Sequence, residues 1–284
     1  MTSVALGNFD GVHSGHRAVL QNAARFEQSV CLLFRTHPAR VLGAPAFAAI
    51  LSREANEAKI LECGIGRCAY LDFEEIKDFS PEQFFEKILI GTLGADVICC
   101  GYNYSFGKDR RGNVALLREL CARHGKQLLV SEPVNYAGAP VSSSRIRACL
   151  QRGEVEQANA MLGYNFFYEG EVVSGKRLGR ELGFPTLNQY LSKHLVQPRA
   201  GVYAASVRIG ANTYRGLTNI GDNPTIGSDN FRSETYVFDF DKEVYGQTAR
   251  IELLHFIRPE QTFESIGALR AQVLQDIERA KENV

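Results

Sequence analysis

The chain has 284 residues, of which 45% are hydrophobic and 23% are charged, and its formal net charge is zero. This length and composition predict about two globular domains. The even charge argues against a nucleic-acid binder, and the absence of an apolar run of roughly 20 residues argues against a membrane protein.

The cysteines and the first residues indicate a cytoplasmic protein. The seven cysteines are an odd number and include no C-x-x-C pair, which argues against a disulfide framework and against a zinc site. No basic segment followed by a long apolar one precedes the first predicted strand, so we expect no signal peptide. Nothing in the sequence indicates an oligomeric state.

Short apolar runs alternate with helical patterns up to about residue 163. This alternation predicts parallel strands joined by crossover helices in a doubly wound sheet. The predicted strands are Val4–Leu6, Val30–Phe34, Cys68–Leu71, Val97–Cys100 and Gln127–Val130. The predicted helices are Arg17–Glu27, Arg53–Cys63, Pro81–Leu89, which starts with a capping box at Ser80, and Val114–His124.

Two glycine-rich segments match nucleotide-binding patterns but stand in the wrong context. Gly64–Ala69 has the G-x-G-x-x-A pattern, yet a helix precedes it and a strand follows, the reverse of a dinucleotide site. Gly170–Lys176 begins like a P-loop, but Arg177 stands where Ser or Thr is needed and Pro185 prevents the helix that should follow. We therefore expect a turn at the first and no P-loop at the second.

The loop after the first predicted strand carries two histidines, His13 and His16. At the carboxyl edge of a parallel sheet, backbone amides and the dipole of the next helix favour phosphate. Imidazoles can donate hydrogen bonds to the same oxygens. The other residues predicted to bind phosphate in this loop are Gly7, Asn8, Phe9, Asp10 and Gly15.

A second segment at a predicted helix start combines hydroxyls with positive charge. Arginine near a helix N-terminus opposes the helix dipole unless an anion offsets it, so this segment also predicts phosphate binding. Its residues are Ser142, Ser143, Ser144, Arg145 and Arg147.

Together these strings resemble the H-x-G-H nucleotidyltransferases and, within them, the adenylyltransferase domain of bacterial bifunctional riboflavin kinase/FAD synthetases. Phe34–Pro38 resembles that family's F-x-x-H-P segment, and Gly101–Lys108 resembles its G-x-D/N-F-x-F-G-K stretch. The resemblance implies that both phosphate-binding segments hold ATP and that His13 and His16 are catalytic, stabilising the departing pyrophosphate. It also implies flavin contacts from His37 and Asn103.

After residue 163 the pattern changes to strand-type alternation, which predicts an antiparallel barrel or sandwich. The predicted strands are Phe166–Val173, Gly201–Ile209, Thr213–Ile220, Glu234–Phe240 and Thr248–Ile257. One helix closes the chain, and Thr262 is expected to cap it. An apolar stripe on this helix is expected to cover the barrel, formed by Phe263, Ile266, Leu269, Val273 and Ile277.

The segment from Gly175 to Asn188 combines glycines, positive charge and two neutral oxygen ligands. Glycines free backbone amides for an anion-binding nest, and Thr186 and Asn188 suit a magnesium ion that keeps phosphate oxygens and water. The segment resembles the flavokinase motif G-x-x-x-G-x-x-x-G-F-P-T-A-N, with Leu187 in place of Ala. The residues it implies for ATP are Gly175, Lys176, Arg180, Gly183 and Pro185.

Three later strings complete the flavokinase resemblance. Asn219–Thr225 resembles N-I-G-x-x-P-T, and Ser233–Phe240 resembles a string containing E-x-H-I-x-D-F, with Tyr236 in place of His. By resemblance, Glu234 is the base that takes the proton from the ribityl 5′-hydroxyl. Asn219, and Arg258 within an F-I-R-P string, are implied to contact riboflavin or FMN.

The predicted fold class is α/β, with a Rossmann-like nucleotidyltransferase domain over 1–163 and a flavokinase-like antiparallel barrel with a closing helix over 164–284. The predicted activity is FAD biosynthesis from small-molecule substrates, without nucleic-acid or membrane partners. Riboflavin would be phosphorylated with Mg²⁺ and ATP to FMN, and FMN then adenylylated with ATP to FAD and pyrophosphate.

Three alternatives stay open on the sequence. The first is another H-x-G-H adenylyltransferase, acting on a pantetheine or nicotinamide phosphate, although such enzymes lack a flavokinase-like barrel. The second is a non-catalytic flavin sensor, although pure binding would not require Thr186, Asn188 and Glu234. The third is an enzyme with only the kinase half active, since this chain has fewer residues before its first strand than the family usually has.

Overall fold

The computed structural model of the chain describes residues 1–43, 47–175, 179, 183–222 and 231–282. Within these ranges no helix is both long enough and apolar enough to cross a membrane. Two units divide the chain at Ser143 and Ser144, and each unit has its own main sheet.

The first unit is built on a five-stranded parallel sheet. The strands of this unit, in chain order, are β1 (Thr2–Leu6), β2 (Gln28–Phe34), β3 (Arg67–Leu71), β4 (Val97–Gly101), β5 (Ser105–Phe106), β6 (Gly112–Asn113), β7 (Gln127–Ser131), β8 (Asn135–Tyr136) and β9 (Ala139–Pro140). The long strands pair in the order β3-β2-β1-β4-β7, and the short ones form the pairs β5–β6 and β8–β9. Because the strand order reverses between β1 and β4, the crevice for a ligand is expected beside their carboxyl ends.

Helices follow the strands as the alternation predicted. They are α1 (Ser14–Ala23), α2 (Pro38–Val41), α3 (Arg53–Leu61), α4 (Phe73–Ile76), α5 (Pro81–Gln83) and α6 (Val114–Arg123). The predicted capping box at Ser80 and Gln83 starts α5, which continues as a π-helix over Phe84–Thr92. The turn expected at Gly64 follows α3, with a φ of 89°.

Apolar side chains cover both faces of this sheet. Val4 and Leu6 of β1 pack on one face against the π-helix, while Ala5 packs on the other face against α1. Strands that are buried on both faces read as continuous apolar runs, which is why the sequence revealed them. The doubly wound parallel sheet is confirmed.

The second unit is an antiparallel sheet of six strands with helices before and after it. Its elements are α7 (Ser143–Arg152), α8 (Val155–Leu162), β10 (Phe167–Glu171), β11 (Thr186–Tyr190), β12 (Gly201–Ile209), β13 (Asn212–Asp222), β14 (Phe231–Val237), β15 (Thr248–Pro259) and α9 (Ile266–Glu282). The strands pair in the order β10-β15-β12-β13-β14-β11.

Contacts between the two end strands, β10 and β11, bring the sheet close to a closed barrel. An antiparallel bridge joins Val173 to Asn188. The side-chain amide of Gln189 donates to the carbonyl oxygens of Gly170 at 2.7 Å and Ala249 at 2.9 Å. The barrel, rather than the sandwich, is therefore the architecture of this unit.

Two local predictions in this unit are wrong or incomplete. The cap of α9 is Ser265, whose hydroxyl accepts from the backbone of Ala268 at 3.2 Å, and not Thr262. Ile266 is 65% exposed, so the apolar stripe does not start there, while Val273 and Ile277 do pack on the barrel. The sequence does not predict strand β11, because its residues directly follow glycines and a proline that are typical of a loop.

Candidate active sites

The loop between β1 and α1 has an unusual backbone. Phe9, Gly11 and Val12 all have positive φ values, of 48°, 79° and 37°. This region is costly for residues with a Cβ, so it persists only where the surroundings hold it. Phe9 and Val12 are fully buried in the core beside α1, and their burial supplies that support.

Three hydrogen bonds fix this loop to more distant segments. The Asp10 carboxylate accepts from the backbone of Ile50 at 2.8 Å, and Asn56 Oδ1 accepts from the backbone of Gly11 at 2.9 Å. The Ser143 hydroxyl donates to the Asp10 carbonyl oxygen at 2.9 Å. Asn56 carried no sequence signal, because it acts through a contact 45 residues away in the chain.

His13 and His16 lie together at the start of α1. Their rings stack at a centroid distance of 3.6 Å, and Phe9 meets the His16 ring edge-on at 5.3 Å. His13 is the N-cap, with Nδ1 accepting from the His16 backbone at 3.3 Å. Among the described residues, the buried Nδ1 of His16 has no hydrogen-bond partner.

Burial keeps both imidazoles neutral. It lowers the pKa of His13 from 6.5 to about 4. It also lowers the pKa of His16 well below 6.5, with a smaller contribution from the neighbouring His13. Because Nδ1 of His13 accepts a hydrogen bond, the proton of the neutral ring is on Nε2, which is then a donor.

This burial predicts that the first unit loses stability in mild acid. The unfolded chain binds a proton at His13 below about pH 6.5, whereas the folded chain binds one only below about pH 4. The free energy of unfolding therefore falls as the pH is lowered from 6.5 to 4, and the loss is about 2 kcal/mol at about pH 5. Urea unfolding near neutral pH and near pH 5 measures the loss. His13→Asn keeps an N-cap and removes the titration, so it should show a smaller loss; an equal loss would contradict the assignment.

A cavity of 690 Å³ opens beside the ends of β1 and β5 in the first unit. Gly7, Asn8 and His37 are among its lining residues, and His37 stacks on Phe47 at 3.8 Å. Its apolar walls carry the rings of Phe34, Phe73, Phe84, Tyr104 and Phe106. Asn103 is exposed in the turn after β4 and does not line the cavity, so its predicted flavin contact gains no support here.

The other predicted phosphate-binding residues of the adenylyltransferase half belong to different elements. Gly15 lies in α1, so close to His13 that a Cβ there would sit 3.2 Å from the ring. Ser142 and Ser143 end the first unit. Ser144, Arg145 and Arg147 follow in α7, in the second unit. Phosphate binding by all of these residues stays a prediction.

A larger cavity, of 830 Å³, opens on the barrel of the second unit. Four of the residues predicted for riboflavin phosphorylation line it, from four different strands: Thr186, Asn219, Glu234 and Arg258. Asn219 lies directly opposite Glu234 in the pairing of β13 with β14, and Asn188 lies opposite Glu234 on the other side. Glu234 is 43% exposed, with Arg232 Nη1 at 3.8 Å.

Thr186 and Asn188 present two neutral oxygens suited to a magnesium ion. The Asn188 Oδ1 is buried and has no hydrogen-bond partner among the described residues, and the amide nitrogen lies 3.4 Å from Thr186 Oγ1. A Cβ on Gly175 would lie 2.5 Å from that oxygen, so glycine keeps the space around it. An unpaired hard oxygen beside a hydroxyl fits the predicted cation.

Arg258 is less available to a flavin than the sequence suggested. Its guanidinium forms a two-pronged ion pair with the fully buried Asp276, with Nη2 at 2.8 Å from Oδ2. This pair ties β15 to α9. A carboxylate that the sequence did not reveal, Glu260, also lines the cavity and accepts from Asn219 at 3.3 Å.

The other residues predicted to bind ATP in the barrel either precede β11 or lie outside the described ranges. Gly183 and Pro185 precede β11, and Gly183 has a φ of 86°. Lys176 and Arg180 lie outside the described residues, as does the Pro-Thr end of the Asn219–Thr225 string. Tyr236, which replaces a histidine of the motif, lines the cavity and meets Phe184 edge-on.

Comparison with known proteins matches both halves of the chain. A family model described as FAD synthetase matches residues 1–145, and one described as riboflavin kinase matches residues 162–284. A bifunctional riboflavin kinase/FMN adenylyltransferase of Listeria monocytogenes is 33% identical over 96% of this chain and 89% of its own length. The chain belongs to the bifunctional riboflavin kinase/FMN adenylyltransferase family.

Two further proteins are similar to this chain over nearly its whole length. The Escherichia coli bifunctional riboflavin kinase/FMN adenylyltransferase is 31% identical over 98% of this chain and 91% of its own. A crystal structure titled macrolide-efflux protein from Streptococcus pneumoniae has a TM-score of 0.90 and 30% identity, covering 99% of this chain and 93% of that one. The family and the fold predicted from the sequence are confirmed.

Proposed function

We propose that this chain makes FAD in two steps. The barrel unit transfers the γ-phosphoryl group of ATP to the 5′-hydroxyl of riboflavin, giving FMN and ADP. The first unit joins FMN to the α-phosphorus of a second ATP, giving FAD and pyrophosphate. The observation that carries the proposal is the 830 Å³ cavity, where Thr186 and Glu234 come together in a chain that matches the bifunctional family over both halves.

In the kinase step Glu234 is the base. Phosphoryl transfer needs mainly positioning and charge neutralisation, with one group to orient the nucleophile. The carboxylate accepts the 5′-hydroxyl proton as that oxygen attacks the γ-phosphorus and the bond to the bridging oxygen of ADP breaks. Thr186 Oγ1 and Asn188 Oδ1 would hold Mg²⁺, which neutralises phosphate charge when bound.

The magnesium assignment predicts a shifted metal requirement. Asn188→Ala removes the unpaired buried oxygen, so the Mg²⁺ concentration for half-maximal FMN formation should rise. We expect a rise of roughly tenfold or more, because even the loss of a group that supports a metal ligand typically weakens metal binding by that factor. Asn212→Ala, an exposed change in the same barrel, is the control. A magnesium titration of FMN formation measures both variants. A lower maximal rate at an unchanged magnesium requirement would contradict the assignment.

In the adenylyltransferase step the two histidines would act on the leaving group. A phosphate oxygen of FMN attacks the α-phosphorus, and the bond to the bridging oxygen of pyrophosphate breaks. The Nε2–H of His13 would donate to the phosphate oxygens as their charge builds, and the stacked imidazole of His16 would be a second donor. Bound triphosphate raises the pKa of a nearby imidazole, so both rings are protonated more readily in the complex, and a cationic imidazolium donates a stronger hydrogen bond.

The 690 Å³ cavity is the place we propose for the flavin ring in this step. A flat tricyclic ring needs an apolar slot with few polar groups, and aromatic walls provide stacking surfaces. Phe34, Tyr104 and Phe106 line this cavity, and Gly7 and Asn8 connect it to the loop of His13. His37 would contact the flavin from the rim.

We place the boundary between the two activities at residues 163 and 164, and the enzyme in the cytoplasm. The family model for riboflavin kinase starts at residue 162, which supports this position. The two structural units divide earlier, at Ser143 and Ser144, because α8 packs with β15 of the barrel. The seven cysteines are free, which supports a reducing compartment.

One incubation with riboflavin, Mg²⁺ and ATP, followed by separation of the flavins over time, tests the proposal. FMN appearing first and FAD following supports both steps and their order. If FMN forms without FAD, and no FAD forms from added FMN, the chain would have riboflavin kinase activity only. No phosphorylated flavin would overturn the proposal.

A further inference from the structure

The face of β14 opposite Glu234 is unusually polar for a barrel interior. Side chains alternate along the strand, so Glu234 and Tyr236 line the cavity while Ser233 and Thr235 point inward. Both inward side chains are fully buried. Thr218, on the neighbouring strand β13, is also fully buried.

These inward groups meet in a cluster of hydroxyls. Thr218 Oγ1 lies 2.7 Å from Thr235 Oγ1, and the Tyr168 hydroxyl of β10 lies 3.3 Å from Thr218 Oγ1. Burial raises the pKa of Tyr168 to about 12, with the hydroxyls of Thr218, Thr235 and Ser233 acting in the opposite direction. The phenol therefore stays protonated and can donate. We call Tyr168, Thr218 and Thr235 the hydroxyl cluster.

The hydroxyl cluster lies one row from the reacting groups. Thr218 faces Thr235 in the pairing of β13 with β14, and Asn219 faces Glu234 in the next row. A slip of one residue would turn Glu234 into the interior, where a carboxylate is costly, and would break the threonine pair. A buried hydroxyl without a partner is also costly, so the cluster favours a single register.

We propose that the hydroxyl cluster positions Glu234 for the riboflavin kinase step, a role that rests on the kinase function proposed above. The cluster joins β10, β13 and β14 through side chains. It thereby fixes β14, which carries Glu234, from the face opposite the cavity. No member lines the cavity, so the cluster acts only through Glu234 and Asn219. Its loss should reduce the rate of transfer more than the binding of riboflavin.

Thr235→Val tests this role, because it replaces the hydroxyl with a methyl of similar size. We expect kcat for FMN formation to fall roughly tenfold, with KM for riboflavin changed less than about twofold. Thr235→Ser restores the hydroxyl and should recover most of the rate. Tyr214→Phe is the control, since it also removes one hydroxyl, a phenol on β13, but its half-buried ring packs edge-on against Phe240, away from the cluster.

Tyr168→Phe provides a second test if Thr235→Val does not fold, because it removes only the terminal hydroxyl and should also lower kcat. Wild-type rates for Thr235→Val or Tyr168→Phe would overturn the inference. So would a loss of kcat in Tyr214→Phe as large as that in the cluster variants. Absence of FMN formation by the wild-type protein would instead overturn the kinase function, and FAD formation from added FMN shows that each variant is folded in its first unit.

Discussion

Glu234→Gln should abolish most of the FMN formation from riboflavin while leaving FAD formation from added FMN unchanged. The amide keeps the shape of the side chain but cannot accept the 5′-hydroxyl proton. General-base catalysis contributes roughly 10²- to 10⁴-fold, so kcat should fall by at least about 10²-fold. KM for riboflavin should change little, because the lost interaction belongs to the transition state.

The matched control for this variant is a carboxylate on the same barrel that does not line the cavity. Glu171, exposed at the end of β10, is suitable, and Glu171→Gln should behave as wild type. Steady-state rates at several riboflavin concentrations separate kcat from KM. A Glu234→Gln enzyme with kcat within about threefold of wild type would exclude Glu234 as the base.

His16→Ala should have the reciprocal effect, with FMN formation intact and FAD formation lost. The imidazole would donate to the triphosphate as charge moves to pyrophosphate, and it holds the His13 ring by stacking at 3.6 Å. Loss of one preorganised donor typically costs roughly 10²- to 10³-fold in kcat. Release of pyrophosphate from FMN and ATP measures this step directly.

His124→Ala is the control for the histidine variant. His124 follows α6 in the same unit, where it contacts Glu86 and the ring of Phe85, away from the loop after β1. The His16→Ala protein should therefore lose pyrophosphate release while the His124→Ala protein keeps it. Equal rates in both variants would mean that the histidine pair only shapes the start of α1.

The sequence revealed those parts of the fold that depend on local patterns. The strands of the parallel sheet are continuous apolar runs, and four of the barrel residues that meet at the cavity stand in recognisable strings. Strand β11 was missed because glycines and a proline precede it, and its pairing with β14 is a long-range contact. Thr262 precedes an apolar stripe, which predicts a cap there, but the helix starts at Ile266, directly after Ser265.

The contacts that support both sites could not be predicted from local sequence patterns. Asn56 holds the backbone of Gly11, and Asp276 neutralises Arg258, each through a side chain far away in the chain. Alternation along β14 predicts that Ser233 and Thr235 share a face, but not that Tyr168 of β10 reaches Thr218 beside them. Such contacts depend on the closed barrel, which no short motif encodes.

The contacts between β10 and β11, which close the barrel, involve a residue that is also proposed to bind substrate. Among the described residues, a backbone bridge at Val173 and Asn188 joins the two strands, and the side chain of Gln189 donates to Gly170 of β10 and to Ala249 of the adjacent β15. Asn188 is both the backbone partner in that bridge and the candidate ligand of magnesium. If a nucleotide and its metal bind only the closed barrel, their binding would shift the equilibrium toward the state in which β10 and β11 are joined. Their dissociation would remove this stabilisation. The substrate that supplies the phosphoryl group would thus also complete the fold that uses it.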